Sequence, residues 1–258
     1  MWNSAFLKEI VRKAGQIAQG HSLRVTASVK PDASYVTQAD LEVQDFLRKA
    51  LEAAYPRDGF IGEENALRRA PKSGGRTWIL DPIDGTSSFV WGLPGWGVSV
   101  GVFEEGRPRA GFFFMPATGD LFYTSPDGAV LRNERPTRLK PPNLSHPEAS
   151  LLVGSRFPQR YELDRSFAGK VRNLGSTAAH LCYAATGASN AALLDETHLW
   201  DFAAGWPMML NNGGVLRYLD GSDVNPDALM SGESSPQPIL AAPPETWGQW
   251  ARLIRFRE

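Results

Sequence analysis

The run Trp78, Ile79, Leu80, Asp81, Pro82, Ile83, Asp84, Gly85, Thr86 joins an apolar, strand-like segment to two carboxylates, a glycine and a hydroxyl. Carboxylates resist burial unless a cation or hydrogen-bond donors accompany them, so this strand has to end at a site or at a water-facing turn. Pro82 fixes its own φ and removes a backbone donor, while Gly85 admits conformations closed to other residues. A sharply shaped turn is therefore expected after residue 80. Asp81, Asp84 and the carbonyl of Ile83 are hard oxygen donors with no imidazole or thiolate among them, a set that suits Mg²⁺ better than zinc. If Gly85 and Thr86 open a short helix, their N–H groups favour a phosphate beside the metal. Taken alone, the run also fits an ordinary turn whose Asp residues cap the next helix.

Two further acidic segments change that balance. A strand-like stretch at 59 to 62 closes on Glu63 and Glu64, and Trp200, Asp201, Phe202, Ala203, Ala204, Gly205 places an acid at an expected helix start, where capping is the commoner role. Around these segments, Leu7, Ile10, Val11, Ala14, Ile17 and Ala18 predict an amphipathic helix over 4 to 19. Residues 20 to 36, with Lys30 and Asp32, predict a loop or irregular hairpin. Thr37 and Asp40 have the spacing of a capping box at the head of a helix that ends before Pro56. A strand at 76 to 80 and a meander with runs at 98 to 103, 110 to 115 and 121 to 124 complete an N-terminal α+β half.

Prolines 136, 141, 142 and 147 mark 133 to 149 as a boundary, so the halves are expected at 1 to 140 and 141 to 258. Beyond it, strands at 150 to 154, 190 to 194 and 215 to 219 alternate with helices at 177 to 186 and 202 to 211, an α/β pattern. A terminal packing helix is expected over 247 to 256.

The 258 residues include 27 basic and 28 acidic side chains, so there is no net positive field to recruit a nucleic-acid polymer or a membrane surface. No apolar run approaches the roughly 20 residues that span a bilayer, and the N-terminus shows no secretory pattern, so a cytoplasmic protein is expected. Cys182, the only cysteine, excludes an intramolecular disulfide and a multi-cysteine zinc site. Both Cys182 and His180 sit on an apolar helical pattern and are expected in the core. His198, near Asp201, faces either substrate or core, and Trp91 and Trp96 line either a pocket or the core.

GEE at 62 to 64, DPIDGT at 81 to 86 and WDFAAG at 200 to 205 together resemble the inositol monophosphatase family, part of a superfamily of Mg-dependent, lithium-sensitive phosphatases. The resemblance extends to VTQAD at 36 to 40, LGSTAA at 174 to 179 and the glycines at 213 and 214, and so spans most of the chain. It implies a layered αβαβα fold of the α+β class and a phosphomonoesterase that hydrolyses a small phosphorylated metabolite of the inositol monophosphate kind. It implies two or more Mg²⁺ ions. Glu63, Asp81 and the Ile83 carbonyl would hold one, and Asp81, Asp84 and Asp201 another, with Asp81 bridging. Glu63 and Thr86 would position and help deprotonate water, while Gly85 and Thr86 hold the phosphate. Asp40 matches an aspartate that hydrogen-bonds the threonine, its cap role being the alternative. Glu64 is left between an outer shell and a further metal position. A homodimer or larger assembly is also implied.

Two departures bear on substrate. Family members acting on inositol phosphates usually carry a glutamate seven residues before the WD aspartate, and Leu194 stands there, with Asp195 and Glu196 next to it. Asp195, along with Asp201, is the expected substrate-side carboxylate. The segment Gly92 to Gly97 resembles members acting on histidinol phosphate, and Ser87 and Ser88 replace a usual Thr and Asn. Histidinol phosphate, fructose 1,6-bisphosphate and a 3′-phosphonucleotide are the alternatives. A non-catalytic, phosphometabolite-binding regulator is the competing class, and the complete acidic set argues against it.

Overall fold

Side-chain alternation along the central strands assigns each residue to one of three cores, and the cores define the layers. In the computed structural model, which describes residues 2–22, 25–31, 33–140 and 143–257, the strand Thr77–Asp84 sends Trp78 and Leu80 to one face and Ile79 to the other. The first face is covered by the helices Ser4–His21 and Gln38–Ala54 through Leu7, Ile10, Val43 and Leu47. The second packs against Ala178, Leu181, Phe202 and Met208 of the helices Thr177–Ala185, Leu199–Phe202 and Gly205–Asn211. Those helices meet Leu152, Ala192 and Ala241 of a second sheet, whose far face, with Leu151, Leu193 and Leu240, holds Trp250 of the helix Pro244–Leu253. Helices, sheet, helices, sheet and helix thus form the expected αβαβα layering of an α+β fold.

The first sheet has eight strands, ordered in space as Arg135–Pro136, Val130–Arg132, Asp120–Thr124, Arg107–Met115, Gly97–Glu104, Thr77–Asp84, Gly59–Gly62 and Arg68–Arg69. Only Gly59–Gly62 and Thr77–Asp84 run parallel, which brings the ends that carry Glu63 and Asp81 side by side. The second sheet has five strands, Lys170–Arg172, Ser150–Val153, Ala191–Leu194, Ile239–Ala242 and Val215–Tyr218. Its first three are parallel and its last two pairings antiparallel.

Several boundaries differ from expectation. The strand expected to stop at 80 continues to Asp84, because the chain bulges instead of turning: Asp81 pairs with Ser99 and Asp84 with Gly97, leaving one residue more on this strand than on its partner. Pro82 supplies no N–H to that ladder, which makes a bulge the easy solution. The helix expected over 202 to 211 is two, Leu199–Phe202 and Gly205–Asn211. Pro207 cannot donate to the carbonyl of Ala203, so the ladder breaks there. The last helix ends at Leu253, and Ile254–Phe256 pairs as a strand with Tyr161–Leu163. The first helix continues through Gly20 to His21, from an N-cap at Asn3. The polar stretch forms a hairpin of Ala27–Val29 with Tyr35–Thr37. Asp32 of that stretch, and Pro141 and Pro142 of the expected boundary, lie outside the described residues.

One glycine pair positions the WDFAAG segment. Gly101 and Gly111 face each other across neighbouring strands. A Cβ on Gly101 would lie 2.6 Å from Cβ of Ala203, and one on Gly111 only 1.8 Å from the carbonyl oxygen of Ala204. The absence of side chains therefore lets the turn after Asp201 rest directly on the sheet. Gly111→Ala is expected to lower stability by about 1–3 kcal/mol through overpacking, read as a reduced urea midpoint at unchanged m-value.

Candidate metal centre

The bulge aims Asp81 and Asp84 toward Asp201, which sits in the short helix Leu199–Phe202 on the next layer. One carboxylate oxygen from each of the three lies within 4.8 Å of the others. Neighbouring segments fix two of them. Oδ2 of Asp84 accepts from the Ser176 hydroxyl and, at 2.8 Å, from the Ala178 N–H. Ser176 is also the N-cap of Thr177–Ala185, its hydroxyl oxygen accepting from Ala179 N–H at 3.0 Å. Oδ2 of Asp201 accepts from His198 N–H at 2.7 Å and from the Thr197 hydroxyl at 2.9 Å. Asp81 is different: its Oδ1 is buried and finds no hydrogen-bond partner among the described residues.

Burial pushes all three acids up, and repulsion from neighbouring carboxylates adds to it at Asp81 and Asp84. Asp81 is held well above the ordinary carboxylate value by burial, with Glu63 and then Asp84 as its strongest repelling charges. Asp84 rises to about 8, burial and Asp201 outweighing the Ser176 and Ala178 donors. Asp201 rises to about 6 for the same primary reason. A set of buried, mutually repelling oxygen donors, one of them orphaned, fits a divalent hard cation: the cation would satisfy Asp81 Oδ1 and reverse the repulsion. Oxygen-only donors again point to Mg²⁺ and away from zinc.

Glu63 and Glu64 complete the acidic surround. Lys30, at the turn of the hairpin, reaches Oε1 of Glu63 at 2.7 Å and Oε1 of Glu64 at 2.6 Å. Burial opposes charge on Lys30, but the two carboxylates outweigh it and its pKa is raised. Glu64 is further fixed through its backbone, which exchanges two hydrogen bonds with the Gln44 amide at 2.8 and 3.0 Å. Asp40 divides its oxygens. Oδ2 accepts from the Thr37 N–H and hydroxyl at 2.8 and 2.6 Å, the capping box, while Oδ1 lies 3.5 Å from the Thr86 hydroxyl. The cap and the threonine contact coexist. Thr86 also donates to the Ile83 carbonyl at 3.0 Å. Gly85, at φ 91°, caps the short helix Thr86–Val90, and a Cβ there would lie 2.6 Å from the Gly95 carbonyl oxygen.

Glu63 and Asp201 open onto a cavity of about 880 Å³ whose walls include Lys30, Ser87, Thr177, Asp195, Glu196 and His198. A second cavity of about 780 Å³ shares Ser87 and Ser155 with it and has Trp91 on its wall, but among the described residues no carboxylate or imidazole lines it. The acidic side chains therefore face the first.

Residues 4–253 match the inositol monophosphatase family. The chain belongs to that family. Among relatives, a histidinol-phosphatase of Chlorobaculum parvum is 32% identical over 216 residues, covering 80% of this chain and 82% of its own. An inositol-1-monophosphatase of Caulobacter vibrioides is 31% identical over 231 residues, 83% of this chain and 89% of its own. The fold matches the IMPase of Thermotoga maritima with a TM-score of 0.83 at 24% identity, over 96% of this chain and 95% of that one. As a family member the chain is a Mg-dependent phosphoric monoester hydrolase.

The other candidate residues divide between cavity wall and core. Asp195 lines the cavity but is paired with Arg160 at 2.9 Å, while Leu194, one position earlier on the strand, faces the inter-sheet core. His198 lies on the cavity wall, stacked on Trp200 with ring centroids 4.6 Å apart. His180 is buried, accepts from Leu174 N–H at 2.9 Å and is pushed down to about 4 by burial, so it is a neutral core residue. Cys182 is buried beside Met208. Trp96 packs on Phe89 in the core, whereas Trp91 is 72% exposed.

Lys30, Gln44, Ser176 and Thr197 escaped sequence reasoning. Ser176 carried a signal, a serine just before the helical run of LGSTAA. Lys30 carried none, because its loop has no periodicity and its partners lie on another strand.

Proposed function

We propose that the chain hydrolyses the phosphate monoester of a small polyol, inositol monophosphate-like, with two or more Mg²⁺ held by Glu63, Asp81, the Ile83 carbonyl, Asp84 and Asp201. The observation that carries this reading is the convergence of buried Asp81 and Asp84 with partly buried Asp201, Asp81 Oδ1 being orphaned. Bound there, Mg²⁺ supplies positive charge against the phosphoryl oxygens and acidifies water.

The chain's own groups do the rest. Thr86 directs its proton toward Ile83 O or Asp40, which leaves its hydroxyl lone pairs to accept a hydrogen bond from water; a proton passing from that water to Thr86 is balanced by transfer of the threonine proton to the Asp40 carboxylate. Glu63, oriented by Lys30, is the second group that positions and deprotonates that water. Backbone N–H groups of Gly85 and Thr86 hold phosphate oxygens at the head of the short helix. Asp201 and Asp195 face the alcohol that leaves.

A second reading is an amine-bearing alcohol such as histidinol. The cavity wall supplies Asp195 and Glu196, carboxylates suited to an ammonium group, in place of a glutamate at 194.

Mg²⁺-dependent phosphate release across inositol 1-phosphate, histidinol phosphate, fructose 1,6-bisphosphate and adenosine 3′,5′-bisphosphate tests both. The highest kcat/KM is expected for inositol 1-phosphate; a dominant histidinol phosphate would transfer the assignment to the second reading, and release from none would refute both.

We further read the chain as halves 1 to 140 and 141 to 258 that share this cleft, as a homodimer and as cytoplasmic. The buried lone thiol agrees with a reducing compartment. Among the described residues no helix is long and apolar enough to cross a membrane. Light scattering of the purified protein at twice the chain mass is the expected result for the dimer.

A further inference from the structure

Glu63 and Asp201 come from different layers of the fold, and one side chain touches the chain beside each of them. Arg68 sits on the edge strand that comes after the Glu63–Glu64 turn. Its Nη1 donates to the carbonyl of Gly62 at 2.6 Å, immediately before Glu63, and to that of Leu67 at 2.8 Å. The same guanidinium lies over the ring of Trp200, 5.2 Å from its centroid, immediately before Asp201. On the imidazole side Trp200 stacks on His198, the planes within 4°, and the N–H of His198 holds Asp201 Oδ2. The segment at Gly232 approaches from elsewhere in the C-terminal region: a Cβ there would lie 2.1 Å from Arg68 Nη2.

We infer that Arg68 is a positioning residue, a planar clamp that sets the Glu63 strand end against the Trp200–Asp201 segment and so fixes the spacing of metal ligands contributed by two layers. A guanidinium suits this task because its flat face stacks on indole while its edge donates to carbonyls. An ammonium has no such face. The inference rests on the metal reading proposed above for Glu63 and Asp201.

The test compares wild type, Arg68→Ala, Arg68→Lys, Trp200→Leu and the double variant Arg68→Ala/Trp200→Leu, measuring phosphate release against Mg²⁺ concentration. Loss of the cation–π contact and of charge-assisted hydrogen bonds is expected to raise half-saturating Mg²⁺ by roughly fivefold or more in Arg68→Ala, with KM for the ester changing by under about twofold. Arg68→Lys is expected to keep at least half of that effect on a logarithmic scale. The double variant is expected to raise half-saturating Mg²⁺ by less than the product of the two single effects, since both break the same cation–π contact. Unchanged half-saturation in Arg68→Ala, full recovery in Arg68→Lys, or full additivity in the double variant would each overturn the clamp. If Arg68→Ala fails to fold, Arg68→Gln carries the same expectation. Wild-type turnover without any divalent ion would instead refute the metal reading itself, and so separates the two failures.

Discussion

Asp84→Asn is expected to lower Mg²⁺-dependent phosphate release by about 10³-fold or more, equivalent to about 4 kcal/mol of lost transition-state stabilisation, while leaving the metal-free protein at least as stable as wild type. The two halves of this expectation have one origin. Asp84 is buried, and its carboxyl is pushed up to about 8 by burial and by Asp201, so its ionised form is unwelcome in the metal-free fold. An amide has nearly the same shape. Its oxygen can still accept from the Ser176 hydroxyl and the Ala178 N–H, which now hold Oδ2. What it lacks is the charge that a hard cation requires. Steady-state kinetics and a thermal melt in chelator, run on the same preparation, check both. Loss of activity accompanied by a lower metal-free Tm would mean that Asp84 is a structural residue, and retained activity would remove it from the metal set.

The second large effect is on stability as a function of pH and metal. Asp40 and Asp201 are raised to about 6, Asp84 to about 8, and Asp81 well above its ordinary value of 3.8, burial being the first cause in each case. A group whose folded pKa exceeds its unfolded value binds protons more tightly when folded. Its contribution is complete below the unfolded value and is lost as pH rises through the folded one. The metal-free protein is therefore expected to lose stability progressively from about pH 4 upward, the slope easing above about pH 6, where Asp40 and Asp201 are ionised, and again above about pH 8, where Asp84 is. Mg²⁺ requires the ionised carboxylates, so protons and metal compete for the same oxygens. The rise in Tm on adding Mg²⁺ should accordingly grow with pH from about 5 to about 8, because metal binding to the folded state alone adds stability by mass action. Differential scanning fluorimetry across that range, with Mg²⁺ and with chelator, measures it. A metal-induced gain that stayed flat or shrank with rising pH would contradict the buried acidic centre.

Much of this centre was legible because three acidic segments each lie beside a strong periodic signal. Short apolar runs that end in acids mark the strands Gly59–Gly62 and Thr77–Asp84, and their parallel pairing brings both acidic ends together. The capping box of Thr37 and Asp40 was readable from spacing alone, and the structure shows it intact. Spacing could not show how the ends are joined. The bulge between Asp81 and Asp84 depends on the partner strand, and the recesses at Gly101 and Gly111 have meaning only once Ala203 and Ala204 lie across them. Lys30 and Arg68 are surface-type residues in irregular or edge segments, and their placement is set by carboxylates, carbonyls and an indole contributed by distant parts of the chain.

The substrate side is the converse case. Leu194 differs from the glutamate that its position suggests by resemblance, and strand alternation sends Leu194 into the core between the sheets and Asp195 to the cavity. A polyol hydroxyl would then meet a carboxylate already paired with Arg160. An alcohol bound at Asp195, as proposed, would compete with that ion pair, which is why the substrate panel discriminates where the geometry of the acidic trio does not.

Diffraction from crystals soaked with Mn²⁺ and phosphate, collected at a wavelength where manganese scatters anomalously, tests the central claim most directly. Two anomalous peaks are expected, both in contact with Asp81, one also meeting Glu63 and the Ile83 carbonyl and the other Asp84 and Asp201. Peaks that avoid Asp81, or an acidic trio that stays empty while manganese binds elsewhere, would contradict it.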